Sequence, residues 1–275
     1  MFSAKASTGQ PEGCATFWNT DVLEIDWSTS TSIKDIFSFQ NDGFEKWSSL
    51  QRVSSLLDSH FELNKVVREK VTTVFQCFCL KMKRGDFASQ KLIVGNTHLY
   101  YHPHADHVRA IQTLSILNKI DDFRKTYGPI PFIICGDFNS DPKSGAMTLL
   151  VDRVVEPTHE CWEYLDTYKW DNEDENKKEN NDGAIPQLEI PSHFPMLDIG
   201  YDQPPEFTHY ISSYKQTLDY IVSAKNSNPG ELAFRRLKTA PMLSSTDIKE
   251  YVSLPTKDIP SDHLAVVCDL KLEKT

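Results

Sequence analysis

At 275 residues with 39% hydrophobic side chains, the chain is long enough to bury a substantial core as one large α/β domain. Its formal net charge of −10 argues against tight, non-specific binding to a nucleic-acid backbone. Its apolar runs are much shorter than a membrane span and its start has no apolar signal-peptide core. We therefore expect a soluble protein that is not secreted.

The six cysteines include no C-x-x-C pair, and Cys77, Cys79, Cys135 and Cys268 lie inside apolar, strand-like runs. Cysteines in such runs are typical of reduced core residues. The pattern favours a reducing compartment over a disulfide framework or a zinc site.

The first predicted elements are two strands, Thr72 to Met82 and Lys91 to Leu99, which are rich in β-branched and aromatic residues. From Asp106 to Tyr127 apolar residues recur at helical spacing and predict a helix. The apolar run Ile130 to Cys135 predicts a strand buried on both faces, and Ser144 to Leu150 predicts a short helix.

Residues 153–205 are rich in proline and acidic residues and predict an irregular insertion. Within it, DNEDENKKENND predicts a solvated, mobile acidic loop at about 171–184. Strand signals then return at Leu218 to Ser223, Glu231 to Leu237 and Leu264 to Leu272. Strands alternating with helices indicate a layered α/β sandwich, in which functional sites lie at strand ends.

Four short motifs join an apolar run to polar residues. They are NTHL at Asn96 to Leu99, GDFNSDP at Gly136 to Pro142, LDYI at Leu218 to Ile221 and SDHLAVV at Ser261 to Val267. Each alone is more typical of a strand cap or a turn. Their ordered recurrence favours a metal-dependent phosphodiesterase.

Hydrolysis of a phosphodiester needs a cation, a base for the attacking water and donors for the phosphate oxygens. Asp137, Asn139 and Asp262 offer the hard oxygen ligands that Mg²⁺ prefers. Asp137 and Asn139 are two residues apart, so in an extended chain both side chains point the same way.

His263 is a candidate for the base, Asp219 for the carboxylate that orients its imidazole, and His98 for a phosphate donor. The alternatives are a strand cap for Asp219, a core histidine for His98 and a surface turn for the SDH segment. The six other histidines that lack such motifs are expected at the surface: His60, His102, His104, His107, His159 and His193.

Six segments together resemble the endonuclease/exonuclease/phosphatase family and, within it, the deadenylase and 2′,5′-phosphodiesterase branch. They are EGCATFW (Glu12 to Trp18), NTHLYYHP (Asn96 to Pro103), RAIQ (Arg109 to Gln112), PFIICGDFNSDPKSG (Pro131 to Gly145), EFTHY (Glu206 to Tyr210) and LDYI. The resemblance implies a DNase I-like four-layer α/β sandwich. It spans nearly the whole chain from about Glu12, so 1–275 is expected to be a single domain.

The resemblance also implies roles for individual residues. Asp137 is implied as a catalytic and Mg²⁺-site residue with Asn139 as its neighbour, His98 as a phosphate ligand, Asp219 and His263 as a carboxylate–imidazole pair, and Asp262 as a residue near the metal. The branch holds an adenine base with residues that correspond here to Pro103, His209 and Tyr214. His209 stands where the branch has an asparagine, so we expect a less strict preference for adenine.

The branch carries its principal Mg²⁺ ligand, a glutamate, well before the EGCATF strand, whereas here only eleven residues precede Glu12 and none is acidic. We therefore expect an N-terminally truncated form, the C-terminal three quarters of the domain, with impaired activity. The implied full activity is that of a Mg²⁺-dependent exoribonuclease, with Mn²⁺ as a substitute. It would act from 3′ ends, or on 2′,5′ linkages, of RNA or oligoadenylate.

Two alternatives stay open on the same fold: a catalytically dead protein that binds RNA or a partner, and a lipid or inositol phosphatase. The expected compartment is intracellular, with the mitochondrial matrix implied by the resemblance and the cytosol as the alternative.

Overall fold

The computed structural model describes residues 1–4, 12–37, 46–169, 183–226 and 229–274. The acidic stretch 171–182 lies outside the described residues. The strands, in chain order, are β1 Phe2–Ala4, β2 Gly13–Ala15, β3 Leu23–Ser32, β4 Val74–Met82, β5 Lys91–His98, β6 Phe132–Asp137, β7 Val154–Val155, β8 Leu188–Glu189, β9 Met196–Asp198, β10 His209–Ile211, β11 Tyr214–Gln216, β12 Asp219–Asn226, β13 Leu232–Thr239 and β14 Cys268–Lys274. The α-helices are α1 Ser48–Ser59, α2 Phe61–Lys65, α3 Asp106–Tyr127 and α4 Gly145–Asp152, with 3-10 turns at Ile33–Phe37 and Glu160–Trp162 and a π turn at Val66–Lys70.

The central sheet has six strands in the order β3-β4-β5-β6-β12-β9. All neighbouring strands are antiparallel except β5 and β6, which are parallel. A parallel pair requires a crossover connection, and α3 supplies it between β5 and β6. The carboxyl ends of β5 and β6 therefore lie at the same edge of the sheet.

Helix α3 begins at Asp106 and ends at Tyr127, as its apolar spacing predicts. Its buried positions run almost continuously from His107 to Ile120, because one apolar cluster joins α3 to α1, α4 and the sheet. Trp47 ties the start of α1 to α3: its backbone N–H donates to Asn118 Oδ1 at 3.0 Å and its indole N–H donates to Asp121 Oδ2 at 2.8 Å.

The opposite face of the sheet is covered by the antiparallel pair β13–β14. Alternate residues of β4 serve the two faces: Phe75 and Cys77 pack toward the helices, whereas Phe78 and Leu80 pack against Phe234 of β13. The same face carries the β1–β2 pair, which Gln76 of β4 and Asn96 of β5 attach to the sheet. Gln76 donates to Ser3 Oγ at 2.8 Å, and Asn96 donates to the carbonyl of Ala15 at 3.0 Å. Burial of both faces explains the continuous apolar runs of the central strands.

The structure confirms the α/β class and departs from several sequence predictions. The strand predicted at Leu264 to Leu272 begins only at Cys268 and ends at Lys274. Strand β6 runs on to Asp137 rather than ending at Cys135, because residues 136 and 137 pair with both neighbouring strands. The expectation that 153–205 is irregular was wrong for three short strands, β7, β8 and β9. One of them, β9, pairs with β12 at the edge of the central sheet.

The expectation that the remaining histidines lie at the surface was wrong for His107 and His60. His107 is fully buried because α3 is covered around most of its circumference, and burial lowers its pKa to about 3. The burial of His60 is compensated by a hydrogen bond that its ring accepts from the Leu63 N–H at the start of α2. None of the six cysteines, all of which lie in the described ranges, forms a disulfide. None of the helices in the described ranges is long and apolar enough to cross a membrane.

Candidate active site

Three of the predicted site residues lie side by side at the edge of the sheet where β5 and β6 end. Their positions follow from strand register: Asp137 pairs with His98 on one side and with Asp219 on the other. Because β12 is antiparallel to β6, its first residue lies beside the last residue of β6, at the same edge of the sheet as the end of β5. The structure thus brings together the ends of the NTHL, GDFN and LDYI motifs.

Asp137 lies between two imidazoles. Its Oδ2 is 3.5 Å from His98 Nε2 and 3.8 Å from His263 Nε2. On the other side of the His263 ring, Nδ1 hydrogen-bonds to Asp219 Oδ2 at 2.8 Å. Since an ionised carboxylate can only accept, the proton of a neutral His263 lies on Nδ1 and the lone pair on Nε2 faces Asp137.

Thr208 is a positioning residue that the sequence predictions missed. Its hydroxyl donates to Asp219 Oδ2 at 2.6 Å and accepts from the backbone N–H groups of Leu218 and Asp219 at 2.9 and 3.1 Å. Asp219 is therefore fixed by Thr208 as well as by His263. The available signal was the EFTHY segment, in which the threonine precedes the predicted base-binding residue.

The two neighbouring histidines of the site have opposite pKa shifts. The hydrogen bond to Asp219 is the main cause that raises the pKa of His263, and the charges of Asp219, Asp137 and Asp262 act in the same direction. Burial, followed by the charge of His263, lowers the pKa of His209. With ring centroids only 4.6 Å apart, His263 is the more basic imidazole of the pair.

This difference predicts an NMR result. The His263 imidazole should titrate above the ordinary histidine range, and Asp219→Asn should lower its midpoint because the bond that holds the proton is lost. With a raised folded-state pKa, His263 stabilises the fold fully below its unfolded-state pKa, and this contribution is lost as pH rises through the folded-state pKa. An unchanged His263 midpoint in Asp219→Asn would contradict the assignment.

Asn139 adopts a left-handed backbone conformation with φ of 48°, which asparagine tolerates better than most residues. Its backbone N–H donates to Asp137 Oδ1 at 2.8 Å, and its side-chain amide donates to the carbonyl of Leu99 at 2.9 Å. These bonds tie the loop after β6 to the end of β5. They orient Asp137 and leave the side-chain carbonyl oxygen of Asn139 as its ligating atom.

The donor set around Asp137 fits a hard divalent cation. Ligating atoms of Asp137, Asp219 and His263 lie within 4.8 Å of one another, and two of the three are carboxylates. Asp262, predicted beside the same metal, groups instead with His209 and His263. Its Oδ2 lies 3.5 Å from His209 Nε2. The metal-site roles of Asp137, Asn139 and Asp262 stay predictions.

The predicted base-binding residues occupy two segments. Tyr214 is 45% exposed and its ring centroid is 5.7 Å from that of His209. Pro103 is exposed in the loop between β5 and α3. Buried Arg109 anchors this loop by donating to the carbonyl of His102 at 2.6 Å. Sequence analysis gave Arg109 no role, although the RAIQ segment that contains it is one of those that carry the resemblance.

Several known proteins resemble this chain in sequence. The human protein named 2′,5′-phosphodiesterase 12 is 31% identical over 266 residues, which are 95% of this chain and 38% of that protein. A probable CCR4-Not complex 3′-5′-exoribonuclease subunit Ccr4 of Vairimorpha ceranae (strain BRL01) is 24% identical, over 96% of this chain and 46% of that protein. The chain therefore spans less than half of these relatives. No family model matches it.

Among solved structures, ANGEL2, described as a 2′,3′-cyclic phosphatase, superimposes with a TM-score of 0.66 at 18% identity, over 98% of this chain and 73% of that one. The fold is therefore that of a DNase I-like α/β sandwich. The chain is a homologue of the proteins named 2′,5′-phosphodiesterase 12 and of CCR4 deadenylases, with structural neighbours in the endonuclease/exonuclease/phosphatase family.

Proposed function

We propose that this chain is a metal-dependent phosphodiesterase that releases nucleotides from the ends of RNA or oligoadenylate. The observation that carries the proposal is the placement of Asp137 between His98 and His263, with Asp219 bonded to the far nitrogen of His263. Homology to proteins named phosphodiesterase and exoribonuclease supports the same reaction class.

Each side chain has a role in such a reaction. His263 Nε2 takes the proton of the attacking water, and Asp219 holds the ring in the required tautomer and stabilises the imidazolium that forms. His98 donates to a non-bridging phosphate oxygen. Asp137 and Asn139 would hold Mg²⁺, or Mn²⁺ in its place. The bound ion would supply neutralisation of phosphate charge.

The test is an assay of the 275-residue chain on oligoadenylates with 2′,5′ or 3′,5′ linkages, in which released adenosine monophosphate is measured. We expect release with Mg²⁺ or Mn²⁺ at the impaired rate that the sequence predicts, none after exhaustive chelation and no rescue by Zn²⁺, because the donors are hard oxygens. Asp137→Asn should abolish release, and Asp152→Asn, which removes a carboxylate at the exposed end of α4, should not.

Each other outcome rejects the proposal for this chain. Release that survives chelation contradicts the metal requirement. RNA binding without turnover supports the catalytically dead alternative, and hydrolysis of phosphoinositides in place of oligoadenylate supports the lipid phosphatase alternative. The mitochondrial matrix as the compartment rests on the resemblance alone, and cell fractionation tests it.

His209 leads to a prediction about base choice. Stacking on Tyr214 is tolerant of sequence and is worth about 1–3 kcal/mol per base. A neutral imidazole offers one donor and one acceptor nitrogen on separate edges, so it reads a base edge less specifically than an asparagine amide does. His209→Asn should therefore raise the ratio of the cleavage rates on adenine and uracil oligomers. A ratio equal to that of the parent chain would show that residue 209 does not read the base.

A further inference from the structure

Beside Asp137, a second group of ligating side chains consists of His209, Asp262 and His263. One ligating atom from each lies within 4.8 Å of the other two. His209 Nε2 is 3.5 Å from Asp262 Oδ2, and the two imidazole centroids are 4.6 Å apart. His209 is buried, whereas the side chain of Asp262 is 49% exposed, so the group opens to solvent on one side.

The backbone fixes these residues on two paired segments. His209 and His263 form a β-bridge. The Tyr210 N–H donates to the carbonyl of Asp262 at 3.0 Å, and the Leu264 N–H donates to the carbonyl of Thr208 at 2.7 Å. In a tetrahedral zinc site with bonds of about 2.0–2.1 Å, ligand atoms are about 3.3 Å apart. The spacing of His209 and Asp262 is close to this value, and the exposed Asp262 side chain has room to approach further.

His263 also has the outer partner that metal-binding histidines typically show. Asp219 Oδ2 lies 2.8 Å from His263 Nδ1, and the Thr208 hydroxyl holds the same carboxylate oxygen at 2.6 Å. A carboxylate on one ring nitrogen sets the tautomer and directs the other nitrogen toward a metal. His263 Nε2, which lies 3.8 Å from Asp137 Oδ2, is therefore the ring nitrogen that keeps its lone pair for a metal.

We propose that His209, Asp262 and His263 form a binding site for a transition-metal ion of the Zn²⁺ type. Two imidazoles and one carboxylate suit Zn²⁺ and Co²⁺, whereas Mg²⁺ prefers oxygen ligands. Three protein ligands leave one position for water. If the proposed function holds, a metal on His263 Nε2 occupies the lone pair that the base needs, so the site is inhibitory.

Metal binding is measured without turnover, which separates this proposal from the proposed function. The 275-residue chain is titrated with Co²⁺ in the presence of excess Mg²⁺ and followed by visible absorption. Zn²⁺ is then added to displace the Co²⁺. We expect one Co²⁺ per chain with tetrahedral-type bands and without the thiolate charge-transfer band that cysteine ligands would produce.

His209→Asn and Asp262→Asn should each weaken Co²⁺ binding at least about tenfold, and Asp219→Asn should weaken it about 10–100-fold, the usual effect of an outer partner. His193→Asn is the matched control: it removes another carboxylate-bound histidine and should leave the affinity unchanged. If His209→Asn does not fold, the exposed Asp262→Asn decides. A thiolate band, displacement by Mg²⁺, or parent affinity in the folded ligand variants would overturn the proposal.

Discussion

The His263→Gln variant should cleave oligoadenylate about 10²- to 10⁴-fold more slowly than the parent chain, the range typical for loss of a general base. Glutamine keeps much of the side-chain volume but cannot take a proton at neutral pH. We assign the base to His263 because its imidazole lies between two carboxylates. Asp219 Oδ2 is 2.8 Å from Nδ1, and Asp137 Oδ2 is 3.8 Å from Nε2. Initial rates at saturating Mg²⁺ give the measurement.

The matched control is His193→Gln, which makes the same change at a histidine 3.0 Å from Asp121, outside the site cluster. Its rate should equal that of the parent chain. The double variant with Asp219→Asn should be no slower than His263→Gln alone, because residues that act as a unit do not contribute additively. Strictly multiplicative losses would show that Asp219 acts independently of His263.

The second large effect is expected from Gly136→Ala, which should lower the free energy of unfolding by about 2–6 kcal/mol, the sum of backbone strain and overpacking. Gly136 has φ of +151°, and a methyl group there would lie 1.9 Å from the carbonyl oxygen of Thr97 on β5. Only a shift of β6 away from β5 relieves this contact. Chemical denaturation measures the loss.

Gly85→Ala separates the two causes. Gly85 also has a positive φ, +87°, but an added methyl group meets no atom within 4 Å. Its loss should be limited to about 1–2 kcal/mol for the left-handed backbone. Equal losses at the two glycines would contradict the steric argument. Because Gly136 precedes Asp137 and β5 ends at His98, the Gly136→Ala variant should also lose activity.

The sequence by itself determined the elements whose signal is local. Apolar spacing defined α3 from Asp106 to Tyr127, because that pattern requires only neighbouring turns of one helix. Runs of β-branched residues located β4 and β5 within two residues. The same kind of signal was present but unused for α1, in which Leu50, Val53 and Leu57 repeat at helical spacing and are buried.

Tertiary pairing determined where strands end and which short segments become strands. Strand β6 extends to Asp137 because β5 and β12 pair with its last residues. Strand β9 has only three residues, which are too few to show an apolar alternation. It forms because it pairs with β12 at the edge of the central sheet. Such pairing depends on chain segments that are distant in sequence, so composition and spacing do not reveal it.

The candidate site shows the same division. The motifs identified the residue types, and both their chemistry and the resemblance paired Asp219 with His263, which the structure places in contact across 44 positions of the chain. Only the structure showed that Thr208 holds Asp219 and that Asp262 faces His209 rather than Asp137. The contact between Asp262 and His209 follows from the bridge between His209 and His263, because backbone pairing between distant segments decides which side chains meet.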